Sequence, residues 1–156
     1  MRLVLQRVSQ ASVMVRECTV GSIQTGLLVL LGVSKTDTPA DADYLLRKTL
    51  ELRIFPDDAG RMNRNVQEAG GAILIVSQFT LAADYRRGRR PSFDQAAPPD
   101  RALELYNYFV AEARRSSVPV ETGIFQASMK VSLVNDGPVT LVIDSREPTG
   151  SGVKGK

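Results

Sequence analysis

Apolar residues in the first third of the chain alternate with polar ones and then fill every position. Leu3-Val4-Leu5-Gln6-Arg7-Val8, Ala11-Ser12-Val13-Met14-Val15 and Val20 to Ile23 are short β-rich runs, and Leu27-Leu28-Val29-Leu30-Leu31-Gly32-Val33 is nearly all apolar. The alternation at Val13 and Val15 suits a strand with one wet face, while the unbroken run suits a central strand. Gly26 and Arg16-Glu17-Cys18 supply the turns between these runs. Thr38-Pro39-Ala40-Asp41 then opens a helix, with a capping hydroxyl, proline at the first helical position and an acid in the first turn. The spacing carries that helix to about Leu52, with Ala42, Leu45, Leu46, Leu50 and Leu52 forming its apolar stripe. Pro56-Asp57-Asp58-Ala59-Gly60 turns the chain again.

The second half repeats the alternation of element types. A helix is predicted from Pro98-Pro99-Asp100 through Leu103, Leu105, Tyr106, Phe109, Val110 and Ala113 to Arg114-Arg115, whose basic end complements the helix dipole. Val118 to Thr122, Met129 to Val134 and Val139 to Ile143 read as strands. Between the last two, Asn135-Asp136-Gly137-Pro138 reads as a hairpin turn, with Asp-Gly supplying positive φ and Pro138 starting an edge strand. Two helices are too few crossovers for a doubly wound sheet. The order predicts an α+β fold with a strongly curved, mostly antiparallel sheet and flanking helices. Residues 1–146 are read as a single domain. Residues 147–156, rich in Gly, Ser and Lys without apolar pattern, are read as a mobile tail.

One run departs from this regularity. Ala72-Ile73-Leu74-Ile75-Val76 follows Gly70-Gly71 as a strand covered on both faces, and Ser77-Gln78-Phe79-Thr80-Leu81 then turns polar. If the chain stays extended, Gln78 and Thr80 share one face and Ser77 and Phe79 the other. Buried without hydrogen bonds, such groups cost on the order of 1–3 kcal/mol each, so they either find protein partners at a fraying strand end or meet a ligand.

Composition narrows the chemistry. The 156 residues, 43% of them hydrophobic, suffice for a core without metal or disulfide support. A lone Cys18 excludes an internal disulfide and a cysteine metal cluster, and the absence of histidine removes the commonest general base and most zinc sites. No metal or cofactor is called for, and Gly70-Gly71 precedes a strand rather than a helix, so it is no nucleotide phosphate loop. No apolar run reaches the roughly 20 residues of a membrane helix, and the N-terminus lacks a secretory signal's apolar segment, which points to the cytoplasm. The net charge of +3 is mild, so an electrostatic partner must meet a local cluster. Tyr85-Arg86-Arg87-Gly88-Arg89-Arg90-Pro91-Ser92-Phe93 is such a cluster, read either as a solvated loop or as a phosphate contact in which arginine forks meet phosphate oxygens and aromatics stack on bases.

Taken together, Gly32-Val33, Arg53-Ile54-Phe55, Gly70-Gly71 with Val76-Ser77-Gln78-Phe79-Thr80-Leu81, Arg90-Pro91-Ser92-Phe93 and Val131-Ser132-Leu133-Val134-Asn135-Asp136-Gly137-Pro138-Val139-Thr140 closely resemble the D-aminoacyl-tRNA deacylase family, in matching order from Met1 to about Asp144. The resemblance implies a homodimeric hydrolase with a barrel-like sheet that cleaves the ester joining a D-amino acid, or glycine, to the terminal adenosine of tRNA. It implies that Ser77, Gln78, Phe79 and Thr80 line the active site. It also implies that Gly137 and Pro138, joined by a cis bond, reach into the partner subunit's pocket to exclude L-amino acids, with Met129 among the substrate-binding residues. An aminoacyl ester is already activated, so orientation and an oxyanion hole around Phe79 and Thr80 suffice without histidine. Water, assisted by the ribose 2′-hydroxyl, is the expected nucleophile. Thr80 is then a positioning or donating group, because no neighbouring base activates it. Arg86, Arg87, Arg89 and Arg90 are the expected tRNA contacts. The competing reading is a non-catalytic nucleic-acid-binding protein that uses the same arginine loop.

Overall fold

Strand β1, Arg2–Val15, is bonded along both edges. One edge pairs antiparallel with β8, Lys130–Asp144. The other is divided between two strands, because β3, Gly26–Gly32, takes Arg2 to Val8 and β2, Cys18–Ile23, takes Ala11 to Val15. Outward from β3 the pairing becomes parallel, first with β6, Ala72–Ser77, and then with β7, Val120–Thr122. Helices α1, Pro39–Glu51, and α2, Pro99–Arg114, pack together over the sheet, and two short strands, β4 at Phe55–Pro56 and β5 at Met62–Arg64, form a separate pair. The result is the expected α+β architecture with a nearly closed, barrel-like and mostly antiparallel sheet. These features belong to a computed structural model that describes residues 1–146, so the tail read from the sequence at 147–156 lies outside the described residues. No helix among the described residues is long and apolar enough to cross a membrane.

Near-closure depends on a missing side chain. A Cβ on Gly21 of β2 would lie 2.6 Å from the carbonyl oxygen of Thr122 in β7, so only glycine lets the two ends of the sheet meet. The alternation within strands fills both faces of the curve. Leu3, Leu5, Leu27, Val29, Ile73 and Ile75 join the helical residues Leu45, Leu105 and Phe109 on one face. Val8, Val13, Ile23, Leu28, Leu74 and Val76 form a second, strand-only cluster on the other. Each such side chain stabilises the fold by roughly 1.5–3 kcal/mol relative to exposure. Helix α1 begins as its sequence predicts, with the Asp41 carboxylate accepting hydrogen bonds from the Thr38 backbone N–H and hydroxyl, both at 2.8 Å.

The structure corrects three readings of the chain. The two runs at Leu3 to Val8 and Ala11 to Val15 are one strand, because Ser9 and Gln10 sit exposed at bulges while β8 goes on pairing across them. Nor do the runs on either side of Asn135-Asp136-Gly137-Pro138 form a hairpin. Both pair with β1, so they lie end to end along one partner instead of beside each other. Between the pairs Gln6↔Thr140 and Val8↔Asn135, residues Asp136 to Val139 are pushed out as a bulge. Finally, the extended run does not continue to Leu81. Strand β3 ends at Gly32, so β6 loses its ladder partner after Ser77, and Phe79–Ala82 coil into a 3-10 turn instead. Gly32 makes room for that turn, since a Cβ there would lie 2.9 Å from the Gln78 carbonyl oxygen and 2.9 Å from Leu81 Cβ.

Candidate active site

The 3-10 turn sets the site. The last ladder bond runs from Gln78 N–H to the Leu31 carbonyl at 2.8 Å, and the turn is then closed by Leu81 N–H to Gln78 O at 3.2 Å and Ala83 N–H to Thr80 O at 3.1 Å. The N–H groups of Phe79 and Thr80 at its start donate to no acceptor among the described residues. A helical start leaves its first donors unpaired for the same geometric reason. Gln78 and Thr80 do come together, but through the coil rather than through strand alternation, with Gln78 Nε2 donating to Thr80 Oγ1 at 2.6 Å. That bond occupies an acceptor position of the hydroxyl and leaves its proton free to be donated outward.

Beside the turn lies a cleft of about 780 Å³. Ser77, Gln78 and Phe79 form one wall, Ala97 with Pro99 and Ala102 at the start of α2 another, and Phe125, Gln126 and Met129 a third. Thr80 is exposed at the edge and reaches the site through its bond to Gln78. The walls are largely apolar with a few polar groups, the usual make-up of a small-molecule site. No carboxylate, lysine or cysteine lines it, and no cluster of potential metal ligands exists among the described residues. The cleft therefore offers two amides, Gln78 and Gln126, and the Ser77 hydroxyl, beside the unpartnered N–H groups of the turn and with no side chain to take a proton. Phe79, 56% exposed, meets Phe93 edge-on at a centroid distance of 5.1 Å at the edge of the site.

The arginine loop begins where the turn ends. Asp84 and Ser92 exchange two backbone hydrogen bonds of 2.8 Å and close the loop, with Gly88 at φ +72° inside it. Arg86 folds back onto Asp84, Nε to Oδ1 at 2.9 Å and Nη2 to Oδ2 at 2.5 Å. Hydrogen bonds from the Arg86 side chain and backbone hold the Asp84 carboxyl well below its ordinary range, at about 2. Arg87, Arg89 and Arg90 are exposed and have no carboxylate partner among the described residues. A smaller cleft of about 450 Å³ is lined by Leu81 to Ala83 of the turn region, but its three arginines are already paired, Arg2 with Asp144, Arg86 with Asp84 and Arg146 with Asp37.

Gly137 and Pro138 do not line the large cleft. They stand exposed at the bulge of β8, joined by a cis peptide bond, with Gly137 at φ +138°. The bulge is held by two residues. Asn135 accepts from Val139 N–H at 2.7 Å and donates to Thr140 Oγ1 at 2.9 Å. Arg7, buried beneath it, donates from Nε to the Asp136 carbonyl at 2.8 Å and from Nη1 to the Ile54 carbonyl at 2.5 Å. Sequence reasoning missed Arg7, although a signal was present: Leu3 and Leu5 point inward, and two residues on an arginine takes the inward position. It also missed Phe125, Gln126 and the residues at the start of α2, which reach the cleft only through the tertiary fold.

The curved α+β sheet and the apolar cleft beside its 3-10 turn define the fold class and the candidate site, and comparison with known proteins gives the family. Residues 4–144 match the family model described as D-Tyr-tRNA(Tyr) deacylase. A D-aminoacyl-tRNA deacylase of Solibacter usitatus is 69% identical over 147 residues, covering 94% of this chain and 97% of that protein. One from Geobacter sulfurreducens is 57% identical over 151 residues, covering 97% and 99%. Among solved structures, a c-Myc DNA unwinding element binding protein superposes with a TM-score of 0.88 at 38% identity, covering 96% of this chain and all of that one. A probable eukaryotic D-amino acid tRNA deacylase shares the fold, with a TM-score of 0.77 at 21% identity. The chain belongs to the D-aminoacyl-tRNA deacylase family. It hydrolyses the ester bond of D-aminoacyl-tRNA, a step that frees tRNA and keeps D-amino acids out of translation.

The bulge yields a stability test that is independent of activity. A Cβ on Gly137 would lie 2.8 Å from Val139 Cγ2 and 3.0 Å from Arg7 Nη2, in a backbone region that L residues rarely adopt. Gly137→Ala is therefore expected to destabilise the fold by about 1–3 kcal/mol in urea unfolding. Parent-like stability would mean that the bulge is not held by these contacts.

Proposed function

We propose that the cleft beside the 3-10 turn is the deacylation site and that backbone donors, not a side-chain nucleophile, drive the reaction. The observation that carries this reading is the pair of unpartnered N–H groups at Phe79 and Thr80, at the start of a turn whose Phe79 lines a cleft with no side-chain base. Aimed at the ester carbonyl, each such donor is worth roughly 2.7–4 kcal/mol of transition-state stabilisation. Water attacks the carbonyl carbon, with the adjacent ribose 2′-hydroxyl assisting proton transfer, and the C–O bond to the ribose breaks to leave free amino acid and tRNA. Thr80, its oxygen already accepting from Gln78, donates a hydrogen bond to the substrate and keeps its proton. Ser77, Gln78 and Phe79 shape the wall that orients the ester, and Met129 closes it from the opposite side.

Chirality is decided by exclusion. The Gly137 and Pro138 carbonyls, presented by a bulge that Arg7 and Asn135 clamp, grip the substrate's α-amino group and leave no space for an L side chain. Glycine, with no side chain to exclude, passes the same filter, so glycyl-tRNA is a second substrate. Because Gly137 and Pro138 do not line their own chain's cleft, they reach a cleft only in a second copy, and the active form is a homodimer. Strand β8 supports this reading. It pairs with β1 alone, leaving one long edge open, and carries exposed Val134 and Val142 beside half-buried Leu133 and Leu141. Such an edge is normally covered. Arg87, Arg89 and Arg90 meet the tRNA backbone next to the cleft mouth, with Arg86 bracing the loop through Asp84. The substrate pool places the enzyme in the cytoplasm.

Three measurements test these assignments. Purified protein should release D-tyrosine from D-tyrosyl-tRNA and leave the L ester intact, and Thr80→Ala should keep measurable release, reduced by about tenfold for one lost hydrogen bond. A trapped acyl-threonine would overturn the water mechanism. Replacing Arg87, Arg89 and Arg90 with alanine should weaken tRNA binding and flatten its dependence on salt by up to about three counterions. An unchanged slope would make the loop a solvated surface. Light scattering at micromolar concentration should give twice the chain mass, and a fully active monomer would sink the shared site.

A further inference from the structure

Three residues other than glycine have left-handed backbone among the described residues: Arg16 at φ 48°, Glu17 at φ 64° and Gln126 at φ 61°. The first two are adjacent and join β1 to β2 where Val15 pairs with Cys18, and a two-residue hairpin turn requires positive φ at both positions. Gln126 has no such explanation. It is the third residue of the turn Ile124 to Ala127, closed by Ala127 N–H to the Ile124 carbonyl at 3.2 Å, a position that glycine or asparagine ordinarily takes. Its side chain is exposed and lines the cleft. Its amide makes no hydrogen bond among the described residues. A backbone strain kept at a cleft wall, where glycine would relieve it, points to work done by the side chain.

We propose that Gln126 recognises the terminal adenine of the acylated tRNA, its amide NH2 donating to N7 and its amide carbonyl accepting from the 6-amino group. This rests on the reading of the cleft as the deacylation site. The amide is a paired donor and acceptor with the spacing that matches that edge of adenine. The amino acid varies from substrate to substrate, so a directional pair of this kind suits the invariant base at the other end of the ester. Space and surroundings agree. At about 780 Å³ the cleft exceeds what one amino acid fills, and Phe125 and Pro99 give it apolar surface for a base. Recognition of the base also anchors the end of the substrate that does not react, which fixes the ester against the Phe79 and Thr80 donors.

The test uses D-tyrosyl esters of adenosine, of 7-deazaadenosine, which lacks the N7 acceptor, and of purine riboside, which lacks the 6-amino donor. The parent enzyme should show kcat/KM about tenfold higher for adenosine than for either analogue, with the difference mainly in KM. Gln126→Gly should treat the three esters alike to within about twofold, while its thermal midpoint is equal to or above the parent's because the turn is relaxed. Discrimination that survives in Gln126→Gly, or that the parent lacks, overturns the assignment. Ala102→Phe, which fills the cleft from α2, separates this failure from the failure of the cleft itself. If Ala102→Phe folds and hydrolyses all three esters at the parent rate, the cleft is not the reaction site and the role of Gln126 falls with it. Loss of turnover in Ala102→Phe, with discrimination persisting in Gln126→Gly, overturns the role of Gln126 alone.

Discussion

Pairing along both edges of β1 is the constraint on which the rest of the molecule depends. Its first half is bonded to β3 and its second half to β2, while β8 runs the length of the opposite edge. Because side chains alternate in strict period two, a slip of one residue in any of these pairings would turn an apolar set toward water. The irregularities at Gln6/Val8 and Val8/Gln10 set Asp136 to Val139 of β8 against Arg7 alone and leave Ser9 of β1 with no opposite residue. They also create the feature on which chiral selection is proposed to depend. The Asp136 to Val139 bulge exists because β8 must bridge two well-paired stretches of the same neighbour.

Arginine at position 7 is the cost of that arrangement and also its support. A guanidinium at the inward position of β1 is tolerated because it donates to the carbonyls of Asp136 and Ile54, which a bulged and a loop backbone would otherwise leave unpaired. A hydrophobic residue there would fill space but satisfy neither carbonyl. Burial of one charge thus ties the bulge on β8 to the loop before β4, and the exposed Gly137 and Pro138 inherit a rigid base.

The cleft shows a different economy. Its polar side chains come from places where regular structure runs out: Ser77 and Gln78 where β3 no longer accompanies β6, and Gln126 in the turn after β7. Regular elements satisfy their own backbone groups and have none to offer a substrate, whereas a strand that ends early exposes donors at a defined place. An ester that is already activated needs little more than those donors held in place. On the proposed mechanism, that is how a chain with no histidine performs its hydrolysis.

Much of this was legible in the residues themselves. Local rules sufficed for β3, α1 and α2, for the apolar strand at Ala72 to Val76, and for the family to which Ser77 to Thr80 and Gly137-Pro138 belong, since periodicity, capping and contiguous motifs are short-range properties. The tertiary structure decided what depends on partners distant in sequence. Whether Asn135 to Pro138 is a hairpin or a bulge turns on which strand receives Val139 to Ile143, and that is β1, more than a hundred residues away. Where the run after Val76 stops being a strand is set by the end of β3 at Gly32. Arg7, Phe125 and Gln126 acquire meaning only when the curved sheet brings them to a bulge or a cleft, because burial and hydrogen-bond partners are properties of packing that no window of neighbouring residues contains.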